Sequence, residues 1–191
     1  MTIERAKRRA IPALIAIAGV SGSGKTYSAL MLAAGLVRSG KVGFIDTEGG
    51  QGSIYADDDE VVKALPEGGY DVSEIQGSFH PSAYTKAIDE FERAGGYDVV
   101  IIDSMSHEWE GMGGCTDIAE NNKLKGTPNW AKAKIEHKRM MNLLLCRPFH
   151  IIVCLRARDK IRVDTDKNDK AKFVDIGLQP IQEKNFKFEM R

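Results

Sequence analysis

The sequence predicts an α/β fold, a mostly parallel sheet with helices on both faces, in one domain spanning residues 1–191. Three observations carry this expectation. Continuous apolar runs within 14–18, 97–104 and 150–155 have the composition of parallel strands covered on both sides, where polar and apolar residues no longer alternate. Segments of helical periodicity separate those runs, as parallel connections require. Finally, Gly19-Val20-Ser21-Gly22-Ser23-Gly24-Lys25-Thr26 fits G-x-x-x-x-G-K-[ST] at every fixed position, between the first apolar run and a helix.

Length and composition agree with that reading. A chain of 191 residues suits one α/β domain and is short for two with separate cores. Its 42% apolar and 28% charged residues argue against both a disordered and a membrane protein. No apolar run approaches the ~20 residues of a membrane span. Formal net charge is zero, so affinity for nucleic acid would have to come from local patches. Cys115, Cys146 and Cys154 are odd in number, lack C-x-x-C spacing and fit reduced thiols in a cytoplasmic protein. The basic opening, residues 4–9, is not read as a targeting segment, because cleavage after the next apolar run would destroy the glycine-rich loop.

The first strand, 14–18, delivers the chain to that loop, and the first helix is expected from about 25 to 39, with Gly40 as a left-handed cap. A loop of small residues lets backbone N–H groups approach a polyphosphate closely. The helix start adds oriented amides, Lys25 adds a full charge on the β and γ phosphates, and Thr26 offers a hydroxyl to Mg²⁺. Val20, Ser21, Gly22, Ser23, Gly24, Lys25, Thr26 and Tyr27 are therefore the expected nucleotide-binding residues, and ATP with Mg²⁺ the expected ligand. The strand 41–48 follows, ending in Asp46 and Glu48 at the polar end of the sheet. Residues 49–53 form a flexible loop, and the acidic cluster 57–60 reads as a solvated turn or helix start rather than a metal site.

A strand is expected at 70–75 and a helix from Pro81 to Ala94, stopped by Gly95-Gly96. The strand 97–104 carries Asp103 to its C-terminal edge, where ligands bind in open α/β sheets, and reads as a Walker B strand with Asp103 on Mg²⁺ opposite Thr26. Periodicity fails over 106–126, which is expected to be a long functional loop. A helix beginning at Thr127-Pro128 and closed by Pro148 carries Trp130, Ala133, His137, Met141, Leu144 and Leu145 on one face, so His137 reads as a packed core histidine. After the strand 150–155, two half-alternating arms around a polar turn at 165–168 suggest a hairpin rich in basic residues. That hairpin is either solvated and charge-balanced by its aspartates or a phosphate or nucleic-acid contact. The tail 184–190 alternates like an edge strand.

The glycine-rich loop, the Phe44-Ile45-Asp46-Thr47-Glu48 strand end and the Val100-Ile101-Ile102-Asp103-Ser104 strand end together resemble the RecA-like branch of P-loop ATPases. Residues 102–111, Asn129-Trp130-Ala131-Lys132 and 150–153 are more similar still to small phage-encoded nucleotide-binding proteins classed as AAA-domain ATPases, some of them recombination proteins. The resemblance implies that Glu48 is the catalytic carboxylate orienting water toward the γ-phosphate, with Glu108 as its rival. It implies single-stranded DNA contacts through 107–126 and 156–172, and assembly into a ring or filament. Arg156, at a strand end expected beside the phosphate loop, reads as a γ-phosphate sensor in preference to a DNA contact; Arg158, Lys160 and Arg162 then face DNA or a neighbouring subunit. Three functions follow for testing: a DNA-coupled ATPase in phage recombination or replication, a small-molecule phosphotransferase with 106–126 as lid, and a non-hydrolysing assembly protein.

Overall fold

The computed structural model describes residues 5–7, 10–165 and 171–191. Its elements run β1 (Leu14–Gly19), α1 (Lys25–Leu36), β2 (Lys41–Asp46), α2 (Asp59–Ala64), β3 (Asp71–Glu74), α3 (Pro81–Ala94), β4 (Tyr97–Asp103), α4 (Ser106–Glu110), α5 (Cys115–Asn121), α6 (Trp130–Leu145), β5 (His150–Thr165) and β6 (Ala171–Pro180). The strand order is β1-β5-β4-β2-β3, every neighbouring pair parallel, and β6 pairs antiparallel with the outer part of β5. The predicted mostly parallel α/β sheet is therefore the fold of the chain. Part of the predicted hairpin turn, residues 166–170, lies outside the described residues, as do 1–4 and 8–9 of the basic opening.

Successive residues of a strand point to opposite faces, and β4 shows why its run is continuously apolar. Val99 and Ile101 pack with Leu30, Ala33 and Phe44 on the α1 side, while Val100 and Ile102 pack with Tyr84, Ile88, Met140 and Leu144 on the α3 and α6 side. Helix α3 follows its sequence signals, with Pro81 in the first turn and Gly95 beyond the last.

Four expectations are corrected. Helix α1 ends at Leu36 and Gly40 is not its cap; instead one Asp98 carboxylate oxygen accepts from the N–H groups of Arg38, Ser39 and Gly40 at 2.8, 3.0 and 2.8 Å. Those three bonds hold the Asp98 carboxyl below the usual aspartate range. Gly40 is required by close approach, since a Cβ there would lie 2.6 Å from the Gly96 carbonyl oxygen. Residues 106–126 are not one open loop but contain α4 and α5, which close a small core of Cys115, Ile118 and Ala119 against Ala133 of α6. Helix α6 begins at Trp130 with Asn129, not Thr127, as its cap, the Asn129 side chain accepting from the Ala131 N–H at 3.1 Å. The tail is not an edge strand: Phe186–Phe188 is a 3₁₀ turn that buries Phe186 and leaves Phe188 exposed, and only Arg191 pairs with β1, through Leu14.

Candidate active site

The register of the sheet brings the expected residues to one edge. Gly19 at the end of β1 pairs with Arg156 of β5, and Asp46 at the end of β2 pairs with Asp103 of β4. The loop after β1 turns through Gly22 and Gly24, whose φ values of 74° and 81° are left-handed conformations that favour glycine. Gly24 then leads into α1, whose first N–H groups have no partners within the helix and point toward the loop. Lys25 Nζ donates to the Val20 carbonyl at 2.8 Å, and the Thr26 hydroxyl donates to an Asp103 carboxylate oxygen at 2.6 Å.

A polar cleft of about 180 Å³ lies here, lined by Ser21, Gly22, Gly24, Lys25 and Thr26 of the loop, with Glu48, Asp103 and Arg156 opposite. Glu48 Oε1 accepts from Arg156 Nε at 3.0 Å, and a terminal guanidinium nitrogen lies 2.8 Å from the same oxygen as an ion pair. Asp103 is 6% exposed, and burial pushes its carboxyl above the usual aspartate range, with Glu48 adding to the effect and the Thr26 hydrogen bond opposing it. Two oxygen donors in contact, in a pocket that holds further acids, are the donor set that Mg²⁺ prefers. Thr26 and Asp103 thus fit such an ion.

The remaining expected residues are placed differently. Tyr27 does not line the cleft; its hydroxyl donates to Glu60 of α2 and its ring packs 5.7 Å from that of Tyr55. Val20 and Ser23 shape the turn, Ser23 N–H donating to the Val20 carbonyl, without lining the cleft by side chain. Glu108, the rival carboxylate, is fully buried elsewhere, accepting from the Cys115 thiol, Gln182 Nε2 at 3.1 Å and His137 Nδ1 at 3.1 Å. Its partners are buried side chains of α5, α6 and the segment after β6. His137 is buried as expected of a core histidine, with Glu108 as its polar partner.

Residues to which the sequence assigned no role at the site complete it. Asp46, 1% exposed, accepts from the N–H groups of Glu48 at 2.6 Å and of Gly50 and Gly52 at 2.9 Å, and so folds the loop that presents Glu48. Thr47 joins the ends of β2 and β4: its hydroxyl accepts from the Ser104 N–H at 2.7 Å and lies 2.8 Å from His107 Nδ1. Burial, with Arg156 nearby, holds His107 below the ordinary histidine pKa, so it is neutral at physiological pH. Ile54 and Tyr55 add an apolar and aromatic wall to the cleft. Their signal lay in the sequence directly after the Glu48 loop, but only the fold turns them toward it.

The expected DNA-facing segments are likewise placed. The inner part of 107–126 is packed, as above, with Met112 and Leu124 exposed. In the β5–β6 hairpin, alternation puts Arg158, Lys160 and Arg162 on one face and Asp159, Ile161 and Val163 on the other. Arg158 reaches Glu110 at 3.5 Å, and Arg162 pairs with Asp164 at 2.8 Å.

A family model described as an AAA domain matches residues 11–187. Among solved structures, one similar to the chain is an ATPase from the type III secretion system of pathogenic bacteria, with a TM-score of 0.49 and 12% identity. The match covers 83% of this chain and 52% of that one, so this chain spans about half its length. No curated protein gives a significant sequence match. No helix among the described residues is long and apolar enough to cross a membrane. With a glycine-rich loop, an Asp103 carboxylate that accepts from the loop's Thr26 and a family match that spans every strand of the sheet, the chain belongs to the AAA-domain family of P-loop ATPases.

Proposed function

We propose that the chain hydrolyses ATP at this cleft and couples turnover to binding of single-stranded DNA, as a self-assembling protein of phage recombination or replication. The observation that carries the hydrolytic part is the convergence of Glu48, Lys25, Thr26, Asp103 and Arg156 on one cleft at the C-terminal edge of the sheet. In this reading Lys25 and the amides at the start of α1 hold the β and γ phosphates. Thr26 and Asp103 would hold Mg²⁺, which would neutralise the phosphate charge that develops as the γ-phosphoryl group leaves.

Glu48 supplies the base. Arg156 occupies its Oε1, and Oε2 has no hydrogen-bond donor among the described residues, which leaves one oxygen for a water. Water attacks the γ-phosphorus, its proton passes to Glu48, and the bond to the β-phosphate oxygen breaks to give ADP and phosphate. Arg156 both fixes the carboxylate and lies close enough to the cleft to sense the γ-phosphate. A phosphotransferase would need to keep activated water out and to use 106–126 as a lid, and that segment is packed into α4 and α5.

DNA coupling rests on the basic face of the hairpin, which continues the same strand that carries Arg156. The test is ATP hydrolysis with and without single-stranded DNA at two salt concentrations. The rate should rise with DNA at low salt and lose that stimulation at high salt. A rate indifferent to DNA at both concentrations refutes the coupling and leaves the ATPase.

A further inference from the structure

A larger cavity than the phosphate-loop cleft lies away from it. It is a cleft of about 660 Å³ between the hairpin, the start of α6 and the segment after β6, with Trp109 and Trp130 in its wall. The two indoles are stacked, centroids 5.5 Å apart and planes 17° apart. Trp109 is anchored from behind, edge-on to His137 at 5.7 Å, and His137 is held by buried Glu108. Trp130 ends the stack and is 37% exposed, an unusual fraction for the largest apolar side chain at the head of a helix that buries its other apolar face. A rigid stack that ends in an open indole is a platform for one more aromatic plane.

The charges around it are not those of an apolar peptide groove. Lys134, Arg158, Lys160 and Lys184 line the cleft with only Asp159 and Glu183 against them. Among the described residues, Lys134, Lys160 and Lys184 form no ion pair. Arg162, ion-paired with Asp164, lies beyond the cleft on the same face of the hairpin as Arg158 and Lys160. Aromatic faces beside a basic track are how proteins hold single-stranded nucleic acid without reading its sequence.

We propose that this cleft is a nucleobase-stacking site for single-stranded nucleic acid, with Trp130 as the platform and Lys134, Lys160 and Lys184 as phosphate contacts. The inference rests on the DNA-coupled reading above but adds to it residues of α6 and of the segment after β6. It also makes the hairpin one wall of a groove, with the packed aromatic stack as the other.

The experiment compares binding of oligo(dT) with binding of a base-free sugar-phosphate oligomer of equal length, followed by tryptophan fluorescence and anisotropy, for wild type, Trp130→Ala and Trp130→Phe. Oligo(dT) should quench the wild-type emission. Trp130→Ala should bind it roughly ten-fold more weakly or worse, Trp130→Phe should restore most of the affinity, and the base-free oligomer should bind all three alike. Lys134→Ala and Lys184→Ala, both at exposed positions, should each lower the slope of log affinity against log salt by about one. Equal oligo(dT) affinity for wild type and Trp130→Ala overturns the stacking site while leaving DNA coupling intact. Failure of wild type to bind either oligomer overturns both.

Discussion

Arg156→Gln separates a catalytic role of the Glu48–Arg156 pair from a structural one. The pair looks strong by distance, with guanidinium nitrogens 2.8 and 3.0 Å from one carboxylate oxygen. Its setting is weaker: the Arg156 side chain is 43% exposed, so solvent screens the attraction, and such pairs contribute at most about 1 kcal/mol. For a chain of this size that is no more than ~2–4 °C in melting temperature. If Arg156 also positions the base and meets the γ-phosphate, its loss removes a donor aimed at developing charge, which costs about 10²-fold or more in kcat. The backbone is spared, since the Arg156 N–H donates to the Ser106 hydroxyl at 2.9 Å whatever side chain it carries. The assay pairs a thermal melt with steady-state hydrolysis, reading kcat and KM separately. A near-wild-type melt with kcat down by two orders of magnitude is the expected result. Wild-type kcat, or a melt lowered by ~10 °C, would refute the reasoning.

Two further perturbations have signs fixed by the structure. Burial raises the Asp103 pKa in the folded state, so the stability contributed by its protonated form is fully present below its unfolded value of ~3.9 and lost as pH rises through the folded one. Without nucleotide, Asp103→Asn should therefore melt above wild type at neutral pH, the gap closing toward ~pH 3. The same variant should lose Mg²⁺-dependent ATP affinity, and a lower melting temperature at neutral pH would contradict the account. Glu108→Leu should behave oppositely: it leaves His137 Nδ1 without its buried acceptor and Gln182 Nε2 with only the Met105 carbonyl, and should cost about 3 kcal/mol in a denaturant titration, while ATP affinity at low temperature stays near wild type. Selective loss of turnover with unchanged stability would instead return Glu108 to the catalytic candidates.

What could be read from the sequence divides along a physical line. The phosphate loop, the β4 strand and α3 are specified within short stretches, by fixed spacing, by continuous burial and by Pro81 and Gly95 at the helix ends. The placement of Arg156 near the phosphate loop was expected from a strand ending at 155, but β5 runs on to Thr165, and Arg156 is instead the last β5 residue paired with β1, beside Gly19. The rest depends on partners distant in sequence. Helices α4 and α5 are short and separated by a glycine-rich turn, so no periodicity can build up, and their burial comes from Ala133 of α6 and from Gln182. The early end of α1 is set by Asp98, across the sheet edge from Gly40. The tail alternates like a strand, yet the Phe186 ring is drawn into the core beside α6 and turns the chain into a 3₁₀ turn. Asp46 was visible as a strand-end acid, but its role in folding the Glu48 loop depends on three backbone N–H groups that a sequence does not display.

The most direct test of the hydrolytic mechanism is a single-turnover measurement of ATP cleavage by Glu48→Gln beside its equilibrium affinity for ATP. The substitution keeps the size of the side chain and an oxygen able to accept from Arg156, while removing the base. The account predicts ATP affinity within a few-fold of wild type and cleavage slower by about 10²–10⁴-fold, the range for loss of a positioned general base. Cleavage at the wild-type rate with ATP fully bound would contradict it.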